Sequence, residues 1–392
     1  MGDLVHQPSS AVRLPGVPGS PERWRGPVIE LERWQWHEGD GGDPAAMLAD
    51  FLVEHGLGGE PQAQSGDVAV ALLAGAGGCA RIGDVPAGRP SPVPEVPELV
   101  VVACRPALDP VRPTQEAPPA PQVGGVGVFT SSWSDDEHAA AIEVVRGAIS
   151  RGELYQANVV GHRSARHCGD PLALAARVAA LAGATYGGVL AGDGWAVGSA
   201  SPEQLVRLQG GRLTTMPIKG TMPVSPGSDD RLRASLKDRA EHVMIVDLER
   251  NDLSRVAQTG SVEVEQLYSL FDWSGLWQAA STVAATLAPG ATTTDVLRAL
   301  LPGGSVTGAP KRAACTALAT LEPVGRGPSM GAFGLIWPGG LDLGLTIRTI
   351  AATQDHVHLW AGGGITWGSQ AAAEVEEAHA KARPVMRALQ AG

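Results

Sequence analysis

Lysine is nearly missing from this chain. Of 30 basic residues only four are lysines, Lys219, Lys237, Lys311 and Lys381, which leaves 26 arginines. The chain is also heavy in Ala, Gly and Pro, the mark of a GC-rich coding bias that turns surface lysine into arginine. A lysine that persists here points to chemistry a guanidinium cannot do, because Arg stays protonated whereas a Lys amine can be tuned. Cysteine is also sparse. Cys79, Cys104, Cys168 and Cys315 show no C-x-x-C spacing and no neighbouring His pair. That excludes a disulfide framework and the common zinc motifs, and fits free thiols in a reducing compartment. No apolar run approaches the roughly 20 residues that span a bilayer. The stretch from Met1 to Arg25 is polar and Pro-rich, without the apolar core of a signal peptide, so the expected location is cytoplasmic and away from membranes. With a formal net charge of -11 and no basic cluster, nucleic acid is not an expected partner.

What is present suggests one large enzyme or two smaller domains, since 392 residues bury a sizeable core. Residues 1–26 read as disordered, 27–104 as a β-rich N-terminal part, 105–125 as a Pro-rich connection, and 126–392 as the catalytic region. Strands are expected at Val68–Ala74, Leu99–Ala103, Gly187–Leu190, Trp195–Ser199, Leu205–Leu208, Gly331–Trp337, Leu343–Thr353 and His356–Ala361. Helices are expected from the cap Ser134 to Arg151, and over Leu172–Leu181, Leu236–Val256, Thr294–Leu301, Lys311–Leu321 and Ala371–Leu389. Strands joined by hairpin-length turns, with helices that do not alternate strictly, predict an α+β fold built on large antiparallel β-sheets.

Three constellations carry chemistry. Asp238 and Glu241 on one predicted helix, and Glu374 and Glu377 on another, are each spaced i, i+3 and so share a helix face. Facing each other, the two helices would offer a carboxylate cluster to a hard divalent cation; apart, they are solvated surfaces. The run Pro302–Lys311 (PGGSVTGAPK) opens a helix, and Gly362, Gly363 and Gly364 follow a strand. Their backbone N–H groups can cradle an anion, or the glycines can simply make tight turns. A P-loop is excluded, because the spacing before Lys311 is wrong and no GK[ST] occurs. Glu203, in Ser-Pro-Glu, and Lys219, in Pro-Ile-Lys-Gly-Thr, lie at strand–turn boundaries. In a partly apolar pocket desolvation would lower the amine's pKa and raise the carboxyl's, giving a nucleophile and a general acid. Alternatively Lys219 is an exposed strand-end lysine.

These segments, in this order, resemble the chorismate-utilising family of anthranilate, aminodeoxychorismate, isochorismate and salicylate synthases. The likeness runs from about Gly125 to the C-terminus, through Gly152–Asn158, Ser201–Glu203, Pro217–Thr221, Asp238–Asp252, Pro302–Lys311, Ile347–Thr349, Gly362–Ile365 and Glu374–Lys381. The resemblance implies a sandwich of antiparallel sheets with helices outside and chorismate as substrate. It implies Mg2+ held by Glu241 and Glu377, with Asp238 and Glu374 in support. Arg348, Lys381, Thr307 and the backbone of Gly362, Gly363 and Gly364 would hold the substrate's carboxylates, with Gln156 and Ser329 lining the same pocket.

Two positions choose among family members. Gln156 stands where water-adding members carry a lysine base, which disfavours isochorismate and salicylate synthesis. Lys219 stands where C2-aminating members usually carry alanine, which points to amination at C4. The implied partners are a glutamine amidotransferase on a separate chain, since no nucleophilic-cysteine elbow is visible here, and a downstream lyase. Amination at C2, or a catalytically weak chorismate-binding paralogue, are the other readings. The chain departs from the family pattern at Gln278 (usually His), at Ser329 (usually Tyr), and at Val375 and Ala378 of the second acidic helix (usually Tyr and Thr).

Overall fold

The computed structural model describes residues 12–13, 20–22, 28–107, 125–273 and 276–390, and shows two large antiparallel sheets packed face to face. The first has eight strands. Its order is Val12–Arg13, Tyr186–Gly192, Trp195–Ser201, Thr349–Ala352, His356–Ile365, Gln156–Arg166 and Gly308–Ala309, with Thr130–Ser131 also beside Gln156–Arg166. The second has ten. It runs Ile218–Pro223, Leu276–Thr286, Arg212–Met216, Gln204–Gln209, Gly340–Leu345, Ala332–Trp337, Ala69–Ala74, Leu99–Pro106 and Val28–Trp36, with Glu263–Trp273 pairing Leu276–Thr286.

Strands such as Ala69–Ala74 (AVALLA) and Ala332–Trp337 (AFGLIW) are apolar throughout and buried at every residue. That is the pattern of strands covered on both faces. The layer between the sheets is one continuous core. Val160, Leu190, Val197, Ala351 and Trp360 from the first sheet meet Leu72, Leu205, Val206, Phe333 and Leu343 from the second. Fully burying each large side chain contributes about 1.5–3 kcal/mol. Outside the first sheet, helices Asp135–Ser150, Lys311–Leu321 and Ala371–Gln390 close a second cluster around Ile142, Leu318 and Val375. Helix Asp135–Ser150 starts as its sequence dictates. Ser134 accepts from the Glu137 N–H while the Glu137 carboxylate accepts from the Ser134 N–H, a full capping box.

The α+β sandwich with outer helices matches the sequence expectation, and so do the long helices. Two expectations change. The single strand expected over Leu343–Thr353 is two strands, one in each sheet, separated by the crossing segment Thr346–Arg348. The strand expected to end at Ala361 continues to Ile365, so the three glycines lie within a strand and not in a loop after it. The strands of the N-terminal part, Val28–Trp36, Ala69–Ala74 and Leu99–Pro106, complete the ten-stranded sheet. Of the first 26 residues most lie outside the described residues, but Val12 and Arg13 pair with Leu190 and Val189. Most of the Pro-rich connection, 108–124, also lies outside them.

Two crossings between the sheets position the site. The chain leaves the first sheet at Ser201 and enters the second at Gln204, passing through Pro202 and Glu203. It returns from Leu345 to Thr349 through Thr346, Ile347 and Arg348. The two crossings hold each other: the Leu345 N–H donates to the Glu203 carbonyl at 3.0 Å, and the Ala200 N–H to the Arg348 carbonyl at 3.1 Å. Arg348 adopts φ = 51°, a left-handed conformation that costs a non-glycine residue about 1–3 kcal/mol and concentrates at functional sites.

Candidate active site

Glu203 and Lys219 meet at Ser305. Glu203 is buried, and its Oε1 accepts from the Ser305 hydroxyl at 2.9 Å and from the Ile218 N–H at 3.5 Å. The Lys219 Nζ donates to the Ser305 carbonyl at 3.5 Å. Lys219 sits in the edge strand Ile218–Pro223, where the register with Leu276–Thr286 shifts between Lys219 and Thr221 and Gly220 takes φ = 76°. That bulge re-aims the lysine, as bulges beside active sites do. Burial pushes the Glu203 carboxyl above its ordinary range, with the Lys219 charge and the Ser305 hydroxyl pulling the other way. Burial pushes the Lys219 amine down; Glu203 opposes this and the Lys381 charge reinforces it. Desolvation therefore dominates both groups and favours a neutral acid beside a neutral amine.

The acidic helices do converge. Around Gly363, a methyl group in place of its hydrogen would stand 3.4 Å from Glu374 Oε2, 3.6 Å from Lys381 Nζ and 3.8 Å from Glu377 Oε1. Lys381 bridges the groups, donating to the Gly362 carbonyl at 2.9 Å and pairing with Glu377 at 2.8 Å. From the other helix, Leu236–Ser254, Glu241 accepts from the Thr366 hydroxyl at 3.3 Å, just beyond the glycine strand. Glu241 and Glu377 both act electrostatically on Lys219, so the lysine and the acids share one site. Asp238 lies on the same helix, with its side chain outside the described residues.

The donor set is all carboxylate oxygen, the chemistry of a hard cation. Among the described residues the one acid or histidine trio with all ligand atoms within 4.8 Å of one another is elsewhere, Glu32, Glu54 and His55. The helix acids are thus spread wider than a protein-only cage. Magnesium keeps its waters and takes one or two carboxylates plus a substrate anion, so it does not need such a cage.

The anion-binding candidates divide. Arg348 is half-buried, its guanidinium makes no hydrogen bond or ion pair among the described residues, and it feels the Glu203 charge. A partly desolvated guanidinium in that state is ready for a carboxylate. Gly362–Gly364 pair on one edge with Val160, Val159 and Asn158. On the other edge Thr349–Ala352 pairs only with Val357–Leu359, so among the described residues no strand pairs with the glycines there. Gln156 is buried beside Gly364 and its Oε1 has no hydrogen-bond partner among the described residues, a cost that a bound polar group would remove. Thr307 is buried with its hydroxyl donating back to the Gly303 carbonyl at 2.8 Å. Ser329 is fully buried and donates to the Thr346 carbonyl at 3.2 Å, so it supports the Thr346–Arg348 crossing rather than offering a free hydroxyl.

Sequence reading missed Ser305 and His242. Ser305 lay inside the glycine-rich run, but nothing local linked its two faces to residues far upstream. His242 follows Glu241, is buried, bonds Ser281 at 2.6 Å, and is pushed down to about 4 by burial and the Lys219 charge. It is neutral in the resting site.

A three-glycine strand, acids from two helices and an amine–acid couple thus gather on one two-sheet sandwich. The profile described as chorismate binding enzyme matches residues 97–387, and the chain belongs to that family. Among curated relatives, aminodeoxychorismate synthase component 1 of Klebsiella aerogenes is 37% identical over 286 residues, 70% of this chain and 63% of that protein. Anthranilate synthase component 1 of Thermus thermophilus is 36% identical over 279 residues, 69% of this chain and 60% of that one. The matched region thus spans less than two thirds of the length of these relatives. Among solved structures, anthranilate synthase component I from Streptococcus pneumoniae superposes with a TM-score of 0.74 at 22% identity, over 92% of both chains. The menaquinone-specific isochorismate synthase from Escherichia coli gives 0.63 at 17%, over 97% of this chain and 96% of that one. These two share the fold.

Proposed function

We propose that this chain is an aminodeoxychorismate synthase component I, which replaces the C4 hydroxyl of chorismate with an amine. The observation that carries this reading is the Glu203–Ser305–Lys219 arrangement, an acid and an amine held by one serine and both biased toward their neutral forms.

Glu241 and Glu377 would hold magnesium, with Asp238 and Glu374 in support. The cation's chemistry here is to neutralise the ring carboxylate. Arg348, Lys381 and the open edge of Gly362–Gly364 orient the two carboxylates of the substrate, and Gln156 uses its unpaired oxygen on a substrate donor. Lys219 attacks C2 with its lone pair as both conjugated ring double bonds shift (C1=C2 to C1=C6, C5=C6 to C4=C5) and the C4–O bond breaks. Glu203 delivers the proton, so that water leaves. The amine gives up its extra proton to the carboxylate so formed. Ammonia then adds at C4, both double bonds shift back, and the C2–N bond to Lys219 breaks with return of that proton. The product is 4-amino-4-deoxychorismate. Two successive displacements through the conjugated diene put the new nitrogen on C4.

Ammonia is taken to come from a separate glutamine amidotransferase subunit, and a lyase acting afterwards would give 4-aminobenzoate. The test is mass spectrometry of products from purified protein with chorismate, magnesium and ammonium, wild type against Lys219→Ala. Aminodeoxychorismate from the wild type alone supports the assignment. Anthranilate or isochorismate from the wild type sinks it.

A further inference from the structure

Behind Ser305 lies a buried ion pair that takes no part in the chemistry above. Arg326 binds Glu322 fork to fork, Nε to Oε2 at 2.8 Å and Nη2 to Oε1 at 2.7 Å, with side chains only 10% and 8% exposed. Burying such a pair is no stability gain in itself, since packed apolar side chains do as well. The other bonds explain its presence. Arg326 Nη1 donates to the Val306 carbonyl at 2.7 Å, and Nη2 to the Asn158 carbonyl at 2.5 Å. Glu322 Oε1 accepts from the Val160 N–H at 3.0 Å. One planar group thus ties together the end of helix Lys311–Leu321, the strand Gln156–Arg166 that pairs the glycine edge, and the turn that carries Ser305.

That turn needs tying. Gly304–Thr307 is a four-residue helix between Gly303 and Gly308, too short to hold its own shape in isolation. Yet it must place both faces of Ser305 at once, the hydroxyl on Glu203 and the carbonyl on Lys219.

We propose that Arg326, clamped by Glu322, is the positioning residue of the reaction: by holding the Val306 carbonyl against the Asn158 carbonyl it fixes the Ser305 turn, and through it the spacing of Glu203 and Lys219. Arginine fits the task because its rigid fork serves several acceptors at set angles, which a lysine ammonium cannot match. The inference rests on the reading of Glu203 as acid and Lys219 as nucleophile. Misplacing reacting groups by about 1 Å costs on the order of 100-fold in rate.

The test compares Arg326→Met, Arg326→Lys and Glu322→Gln with wild type by two readouts. In steady-state turnover of chorismate, kcat falls by about 30–100-fold in Arg326→Met and about tenfold in Arg326→Lys, while KM for chorismate moves less than about threefold. The second readout needs no turnover. Amine acylation across pH, read by peptide mass spectrometry, follows the four lysines separately. In the Arg326 variants the Lys219 midpoint moves to lower pH, because the ammonium loses the Ser305 carbonyl. Folded variants with wild-type kcat and an unmoved Lys219 midpoint overturn the proposal. So does a loss of kcat without movement of that midpoint, which would mark a general structural role. If Arg326→Met does not fold, Arg326→Lys and Glu322→Gln decide. If the wild type makes a different chorismate product, or none, the functional reading fails while the labelling still judges Arg326.

Discussion

Three adjacent glycines give a graded prediction, because a methyl group meets different neighbours at each. At Gly363 it would stand 3.4 Å from Glu374 Oε2 and 3.6 Å from Lys381 Nζ, ordinary contact distances with no backbone clash. Gly363 has no positive φ, so alanine also restricts the unfolded chain. The expected change in stability for Gly363→Ala is between no loss and a gain of about 0.4–1 kcal/mol. At Gly364 the methyl overlaps the end of the Gln156 side chain and stands 3.1 Å from its Cδ, so the amide must move; a cost of about 1–2 kcal/mol is expected. At Gly362 the methyl overlaps the carbonyl oxygen of Val159, a strand backbone atom that cannot step aside. Gly362→Ala should cost about 3 kcal/mol or more.

Activity follows a different order. The added methyl at 363 lies among Glu374, Glu377 and Lys381, where the carboxylates would hold magnesium and the substrate. Gly363→Ala should therefore melt like wild type yet need at least about tenfold more magnesium or chorismate for half-saturation, a loss of about 1.4 kcal/mol of binding. Thermal melts paired with magnesium and chorismate titrations read both quantities. A Gly363→Ala enzyme that saturates like wild type would refute the cradle. A Gly362→Ala protein as stable as Gly363→Ala would refute the packing argument.

Other outcomes follow from the same geometry. Lys219→Arg should be as inactive as Lys219→Ala, at least about 1,000-fold below wild type, because a guanidinium keeps the charge but has no free lone pair; wild-type-like product from Lys219→Arg would exclude covalent catalysis. Chelation should abolish turnover, and Glu241→Gln should raise the magnesium requirement at least about tenfold without lowering the melting temperature; an unchanged requirement removes Glu241 from the metal site. Glu249 is buried, accepts from Thr215 at 3.1 Å, and is pushed up to about 8 by burial and by the charge of Asp252. Its folded pKa lies above the unfolded value, so its contribution is fully present at low pH and lost as pH rises through about 8. Glu249→Gln should remove that loss, leaving a melting temperature that declines several degrees less than wild type between about pH 6.5 and 9. Parallel declines would contradict the shift.

The sequence made some parts of this molecule plain and hid others, for physical reasons. The helix starting at Ser134 was legible because a capping box is written within four residues. The helix acids were legible because i, i+3 spacing fixes a shared face, although which helices face each other was not. The sandwich followed from short apolar strands with hairpin turns. The run Leu343–Thr353 hid a change of sheet, because both halves are equally apolar and nothing local marks the crossing at Thr346–Arg348. The three glycines read as a loop because strand propensity disfavours them; here a bare backbone edge is what the site requires. Ser305 and Arg326 were invisible as site residues, since their significance lies in bonds to Glu203, Lys219 and Asn158, all more than 80 positions away along the chain.

Glu203 and Arg348 sit on the two strands of chain that step from one sheet to the other, and this gives the sandwich a seam with the site on it. Any sliding of one layer over the other changes the gap between them. A ligand that engages both residues therefore acts as a rivet across the layers, and affinity and resistance to shear become one quantity. At about 100 times its dissociation constant such a ligand adds about 2.7 kcal/mol to the folded state. Much of that gain should appear as slowed amide exchange along Ala200–Glu203 and Leu345–Thr349, far more than in the distant strands of the N-terminal edge.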